Sequence, residues 1–136
     1  MNFFTIDPST QTIATIDVDD VWDAFLRAGL KRGRIDFGIV SRCNGKSVNI
    51  VVGEDGLINP HFDGKYFSLS GQLYAGPAVL FLANEVGDTV SFPEPSIKPP
   101  VTFYRDAAAV ERAIKAGEIN RPQTSINGIV IWEWGR

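Results

Sequence analysis

A single histidine, His61, and a single cysteine, Cys43, are the chain's whole supply of imidazole and thiol. Most nucleophilic and zinc-dependent mechanisms bring two or more such groups to one point. A Ser-His-Asp triad would have to be built on His61, and a Cys-His pair on Cys43 with His61; neither stands in an activating context. One cysteine excludes an internal disulfide. No apolar run approaches the ~20 residues that cross a bilayer. The longest, Ala78 to Ala83, has the length of a strand. Positive charge is short as well: 13 Lys and Arg stand against 16 Asp and Glu, a net charge of −3. That balance disfavours nucleic acid, whose binding normally needs clustered excess cations. Lys31, Arg32 and Arg34 come nearest to a basic patch, but they fall at an expected helix end, where cations meet the negative end of the dipole. A phosphate loop is missing too, since Gly71 to Gly76 is followed by neither a lysine nor a helix start.

What is present is ample for one core. The chain has 136 residues, 44% of them apolar and 11% aromatic, including nine Phe and three Trp. This length suits a single domain, and the apolar content suits burial without disulfide or metal staples. Residues 1–30 carry no basic stretch followed by an apolar core, so a cytoplasmic protein is expected.

Residues 3–6 and 12–16 are β-rich and flank Asp7-Pro8-Ser9-Thr10, which predicts an opening hairpin. Val18, Val21, Trp22, Phe25, Leu26 and Leu30 then recur at helical spacing behind Asp17 and Asp19. They predict a first helix that ends near Gly29 or Gly33. The acidic cluster Asp17, Asp19, Asp20 and Asp23 reads as a capped helix start rather than a metal site. Asn44-Gly45 sits between two alternating runs and predicts a tight hairpin over about 34–52. Gly53-Glu54-Asp55-Gly56 reads as a plain turn, because it lacks the ligand series of a calcium loop.

Residues 57–70 have no clean period and read as an irregular crossing with one short strand. The 78–83 run predicts a strand buried on both faces, joined through a turn at Val86-Gly87-Asp88 to a strand over 89–92. Four prolines within 93–100 predict an extended surface connector, with an SH3-type ligand as the functional alternative. A second helix begins at Arg105 or Asp106, with Ala107, Val110 and Ile114 on one face, and stops at Gly117. Residues 121–128 read as a loop and 129–134 as a last strand inside the sheet. The expected fold is a single α+β domain, a mainly antiparallel sheet with two helices packed on it. It comprises a hairpin-rich body over 1–92, the connector 93–100 and a helix-strand extension over 101–136.

Ile6-Asp7-Pro8, the segment from Ile50 through Glu54-Asp55-Gly56 to Ile58, Tyr66-Phe67-Ser68-Leu69, and Leu73 through Ala75-Gly76-Pro77 to Leu80 together resemble a family of small uncharacterised proteins. That family, a domain of unknown function, occurs in phage, plasmid and other mobile-element gene sets. The resemblance covers about residues 4–92, and none of its segments is a chemical signature. It brings no reaction with it, and it implies an accessory protein of a mobile element.

Asn59-Pro60-His61-Phe62-Asp63-Gly64 is the polar cluster best placed for a site, because His61 and Asp63 would orient one another as base and carboxylate. A solvated turn is the stronger reading of a lone His-x-Asp. Cys43, beside Arg42, has no resolving partner and reads as an incidental hairpin residue. Trp132 and Trp134, with Phe103 and Tyr104, would form an aromatic surface if exposed, although core packing is the default. Trp134, nearest the end, is the favoured contact.

These readings lead to a non-catalytic protein without a cofactor or metal that modulates a macromolecular partner, a bacterial host protein or complex, as an accessory or counter-defence factor. The alternative is a nucleotide or metabolite binder with a pocket between residues 57–75 and the sheet. An enzyme built on His61 and Asp63 ranks third. An exposed sheet edge would also permit a homodimer.

Overall fold

The computed structural model describes residues 1–31, 35–53, 66–94, 96–120, 123–126 and 129–133, with backbone alone at Cys43 and in the last two stretches. The opening hairpin forms as expected from β1 (Asn2–Asp7) and β2 (Thr12–Asp17), paired in antiparallel register. Asp7 organises the turn between them: one carboxylate oxygen accepts from the Ser9 hydroxyl at 2.6 Å and from the Ser9 backbone N–H at 3.0 Å. The Ser9 hydroxyl is the main reason that the Asp7 carboxyl lies below its ordinary 3.8; slight burial opposes it, and the backbone N–H and Thr10 add to it. A lowered acid pKa means that the turn's contribution is complete above the ordinary pKa and is lost as pH falls through the folded value. Carboxyl NMR titration should therefore place Asp7 below 3.8, and Ser9→Ala should move it back toward 3.8. An unchanged midpoint in Ser9→Ala would remove the hydroxyl as the cause.

The first helix, α1 (Val21–Arg27), is shorter than the periodic stretch predicts. Asp20 caps it by accepting from the Trp22 N–H at 2.9 Å, so one member of the acidic cluster is a helix cap. Seven residues bury only a narrow stripe, Ala24 and Phe25, while Trp22 and Leu26 lie outside it. Next come β3 (Ile35–Cys43) and β4 (Lys46–Gly53), joined through Asn44 and Gly45 at φ 52° and 74°. Two successive left-handed residues give the turn whose twist matches the strands, and Gly45 adopts it without a Cβ clash.

After them, β5 (Tyr66–Leu69) and β6 (Gln72–Ala75) form a second tight hairpin through Ser70 and Gly71, φ 53° and 77°. β6 falls where the sequence reading has only an irregular segment. β7 (Ala78–Ala83) and the short β8 (Thr89–Val90) make the hairpin expected around Gly87. β9 (Thr102–Tyr104) was not anticipated; it pairs with β5 beyond the prolines. α2 (Ala107–Lys115) starts at Asp106, whose side chain accepts from the Ala109 N–H at 2.8 Å, and closes before Gly117 as expected.

The α+β class holds, with the strands of the described residues divided among three antiparallel sheets. The largest has the order β2-β1-β7-β4-β3 with β8 beside β7, and the second is β6-β5-β9. The third sheet corrects the reading of the C-terminal part. Gln123–Ile126 is a strand (β10) rather than part of a loop, and it pairs with β11 (Ile129–Glu133) as a two-stranded sheet. The last strand therefore does not lie inside the main sheet. The hairpin dipeptide Asn127-Gly128 was the available signal for that pairing.

Strand alternation stacks the two larger sheets between the helices. Phe3, Val51 and Val79 face α1 and pack on Ala24 and Phe25. Their neighbours Phe4, Ile50 and Leu80 face the other way and meet Phe67 and Leu69 of β5. On the far side of the second sheet, Tyr66, Leu73 and Tyr104 receive Val110 and Ala113 of α2. The order of layers is helix, sheet, sheet, helix. Ser68 is the buried polar side chain among the described residues, and its hydroxyl is paired with Tyr104 Oη at 3.0 Å.

Candidate functional site

Three short strands cannot cover the inner face of a six-stranded sheet, and the uncovered part forms a cleft. Its volume is about 540 Å³, within the ~300–1,000 Å³ usual for small-molecule sites. Phe4 and Leu80 of the large sheet form the base, Leu69 bounds it from the second sheet, and Val40 and Val48 form one wall. A register shift between Ile39 and Ser41 lets Val40 and Ser41, adjacent in sequence, both reach the cleft. Re-aiming a side chain in this way is what a β-bulge does. The roof is the proline-rich segment, from Phe92 and Pro93 through Ile97 to Pro100. That segment is thus more than a surface connector, because its apolar side chains complete the cleft. Phe92 is held there by the Phe4 ring, centroids 4.8 Å apart, and by its N–H donating to the Asn2 carbonyl at 3.3 Å.

A second apolar feature lies on the opposite face of the large sheet, where the short α1 leaves β3 largely uncovered. Phe37 is 59% and Ile39 51% exposed, and on the helix Leu26 is 65% and Trp22 38% exposed. Phe25 links them: its ring lies 5.2 Å from that of Trp22 and 6.2 Å from that of Phe37, both edge-on. A hollow of about 370 Å³ opens between Trp22, Leu26, Leu30 and Ile35, with Lys31 at its rim. Among the described residues β3 pairs with β4 alone, so the patch adjoins a strand with an open edge. Trp22 and Leu26 share the helical spacing of the first helix, and the short α1 leaves them at the surface.

His61, Phe62, Asp63 and Trp134 lie outside the described residues, as do Glu54 and Asp55. Trp132 is placed as a β11 residue opposite Thr124, by its backbone alone. Phe103 and Tyr104 are strand residues of the core, Tyr104 with 8% of its surface exposed. The Tyr74 hydroxyl is pushed up by burial, its ring stacked on Phe67 with centroids 5.3 Å apart. Among the described residues no three His, Cys, Asp or Glu side chains converge as metal ligands, and no helix is long and apolar enough to cross a membrane.

No family model, curated protein or solved structure matches the chain.

Proposed function

We propose that the protein is a non-catalytic binding protein that docks a macromolecular partner, a bacterial host protein or complex in the cytoplasm, through the face formed by α1 and β3. An accessory or counter-defence role for a mobile element fits that reading. The observation that carries it is the contiguous exposure of Trp22, Leu26, Phe37 and Ile39 around Phe25. Exposed apolar clusters with an aromatic anchor mark interaction surfaces, and β3, which among the described residues pairs with β4 alone, offers backbone groups on its other edge to an added strand.

The test is retention of a partner from bacterial lysate by the tagged protein and by Phe37→Ser/Ile39→Ser. Both side chains are largely exposed, so the double variant should keep its stability within about 1 kcal/mol and lose the partner. Equal retention by the variant would overturn this surface. Loss in Trp134→Ala instead would move the contact to the last strand. A second reading, a protein that binds or sequesters a small molecule, is favoured by the cleft between the sheets.

A further inference from the structure

We infer that the face formed by α1 and β3 is self-complementary and that the protein forms a two-fold dimer through it, with α1 of each copy seated on β3 of the other. The inference goes beyond the proposed function: it stands on the shape and chemistry of that face alone, whatever else binds there.

The face is a step. α1 packs on β1 and β7, and Phe37 and Ile39 of β3, which lies beyond β4 in the strand order, are left exposed. The raised side therefore ends in Trp22 and Leu26, the lowered side carries Phe37 and Ile39, and the hollow lined by Leu30 and Ile35 adjoins them. A two-fold axis along a step brings the raised side of each copy onto the lowered side of the other, the isologous arrangement in which one patch meets itself. Both sides of that contact are apolar, so a second copy covers the helix residues and the strand residues at once. The rim carries both signs, Asp23 and Arg27 exposed on α1 and Lys31 at the hollow, and no wall of like charge opposes the approach.

The area is sufficient for a dimer. Trp22, Leu26, Phe37 and Ile39 leave between 38% and 65% of their surface exposed. At about 200 Å² for a large apolar side chain, that is roughly 400 Å² per copy and roughly 800 Å² for two. Interfaces are only about 57% apolar, which puts the whole contact at roughly 1,400 Å², within the ~1,200–2,000 Å² of stable complexes. Pairing along the edge of β3 that is unpaired among the described residues would join backbone groups but leave Leu26, on the helix, uncovered. A contact in the lower part of the range predicts a dissociation constant of about 10–100 μM. At about 1 μM the chain is then monomeric and the face is free for a partner.

Sedimentation velocity of the purified full chain between about 5 and 500 μM, concentrations that bracket this constant, tests the dimer. The sedimentation coefficient should rise from that of a monomer to that of a dimer across the series. Leu26→Lys, on the raised side, and Ile39→Glu, on the lowered side, should each weaken association at least tenfold, about the effect of removing one central contact. Both positions are exposed, and a lysine near the end of α1 suits its dipole, so both variants should keep the wild-type circular dichroism spectrum. Val86→Lys, exposed in the turn between β7 and β8, should leave the dimer unchanged. Mixed in equal amounts, Leu26→Lys and Ile39→Glu should associate at least tenfold more tightly than either alone, because a two-fold contact sets the new lysine against the new glutamate on one side and restores the native pair on the other. A monomer at every concentration would overturn the dimer. Undiminished association of Leu26→Lys, or no gain on mixing, would overturn the reciprocal seating of helix on strand. None of these outcomes bears on retention of a host partner from lysate, which keeps its own test.

Discussion

Replacing Phe67 by alanine is expected to destabilise the protein by about 4 kcal/mol, the middle of the range for truncating a buried aromatic side chain. Phe67 has 0% of its surface exposed and belongs to the cluster that Phe4, Ile50, Ala78 and Leu80 send down from the large sheet. Its ring also stacks on Tyr74, so the truncation removes an aromatic pair and opens a void at the centre of the sandwich. A domain of this size has only about 5–15 kcal/mol in total, and the melting temperature should fall by roughly 10–20 °C. Urea denaturation of Phe67→Ala beside Phe37→Ala provides the measurement. The exposed Phe37 should cost little, within about 0.5 kcal/mol of wild type apart from its edge contact with Phe25. A loss below about 1.5 kcal/mol for Phe67→Ala would mean that the two sheets do not share a core.

That pair of phenylalanines shows what was legible in the sequence. Alternation along a strand states which residues share a face, and it does so correctly for Phe3, Val51 and Val79 against Phe4, Ile50 and Leu80. It says nothing of which face another layer will cover. Phe37 and Phe67 are both strand residues, yet one meets solvent and the other the large sheet. Local chemistry served where the structure is local: Asn44-Gly45 placed a hairpin, and the Val110 face with Gly117 placed α2. It failed where an element is defined by its partner. β6 and β9 have four and three residues and exist because β5 lies between them. The helical period of the first helix extends from Val18 to Leu30, beyond the seven residues that form it, and of its members Trp22 and Leu26 stay at the surface.

The cleft was less legible still. The sequence reading put a pocket beside residues 57–75, and Leu69 and Ser70 do line the cleft. Its other walls come from β1, from the bulge in β3, from β4 and β7, and from the proline-rich segment. No spacing rule links Phe4 to Val48 or Ile97, since their meeting depends on how two sheets of unequal width are stacked. Proline content showed that 93–100 would lack regular backbone pairing; it did not show that Phe92 and Ile97 would roof a cavity.

Val110→Asp tests the outermost layer, and its expected effect depends on pH. Val110 is fully buried in the cluster where α2 meets Tyr66, Leu73 and Tyr104. A carboxylate at this position loses its hydration among apolar side chains, so the loss should exceed that of Val110→Ala and reach at least about 4 kcal/mol at pH 7. Burial raises the pKa of the introduced acid in the folded state, whereas in the unfolded chain it stays near an ordinary value of about 3.9. Between those two values the folded state holds the extra proton, and stability falls as pH rises. The deficit should therefore grow by up to about 1.4 kcal/mol for each pH unit above about 4, until the buried acid ionises. Val110→Ala, which removes volume without charge, should show a deficit of about 2 kcal/mol that is flat with pH. Chemical denaturation of both variants at pH 5 and pH 7 separates the effects. A small, pH-independent loss in Val110→Asp would mean that α2 can leave the second sheet without unfolding the rest, and would remove it from the cooperative core.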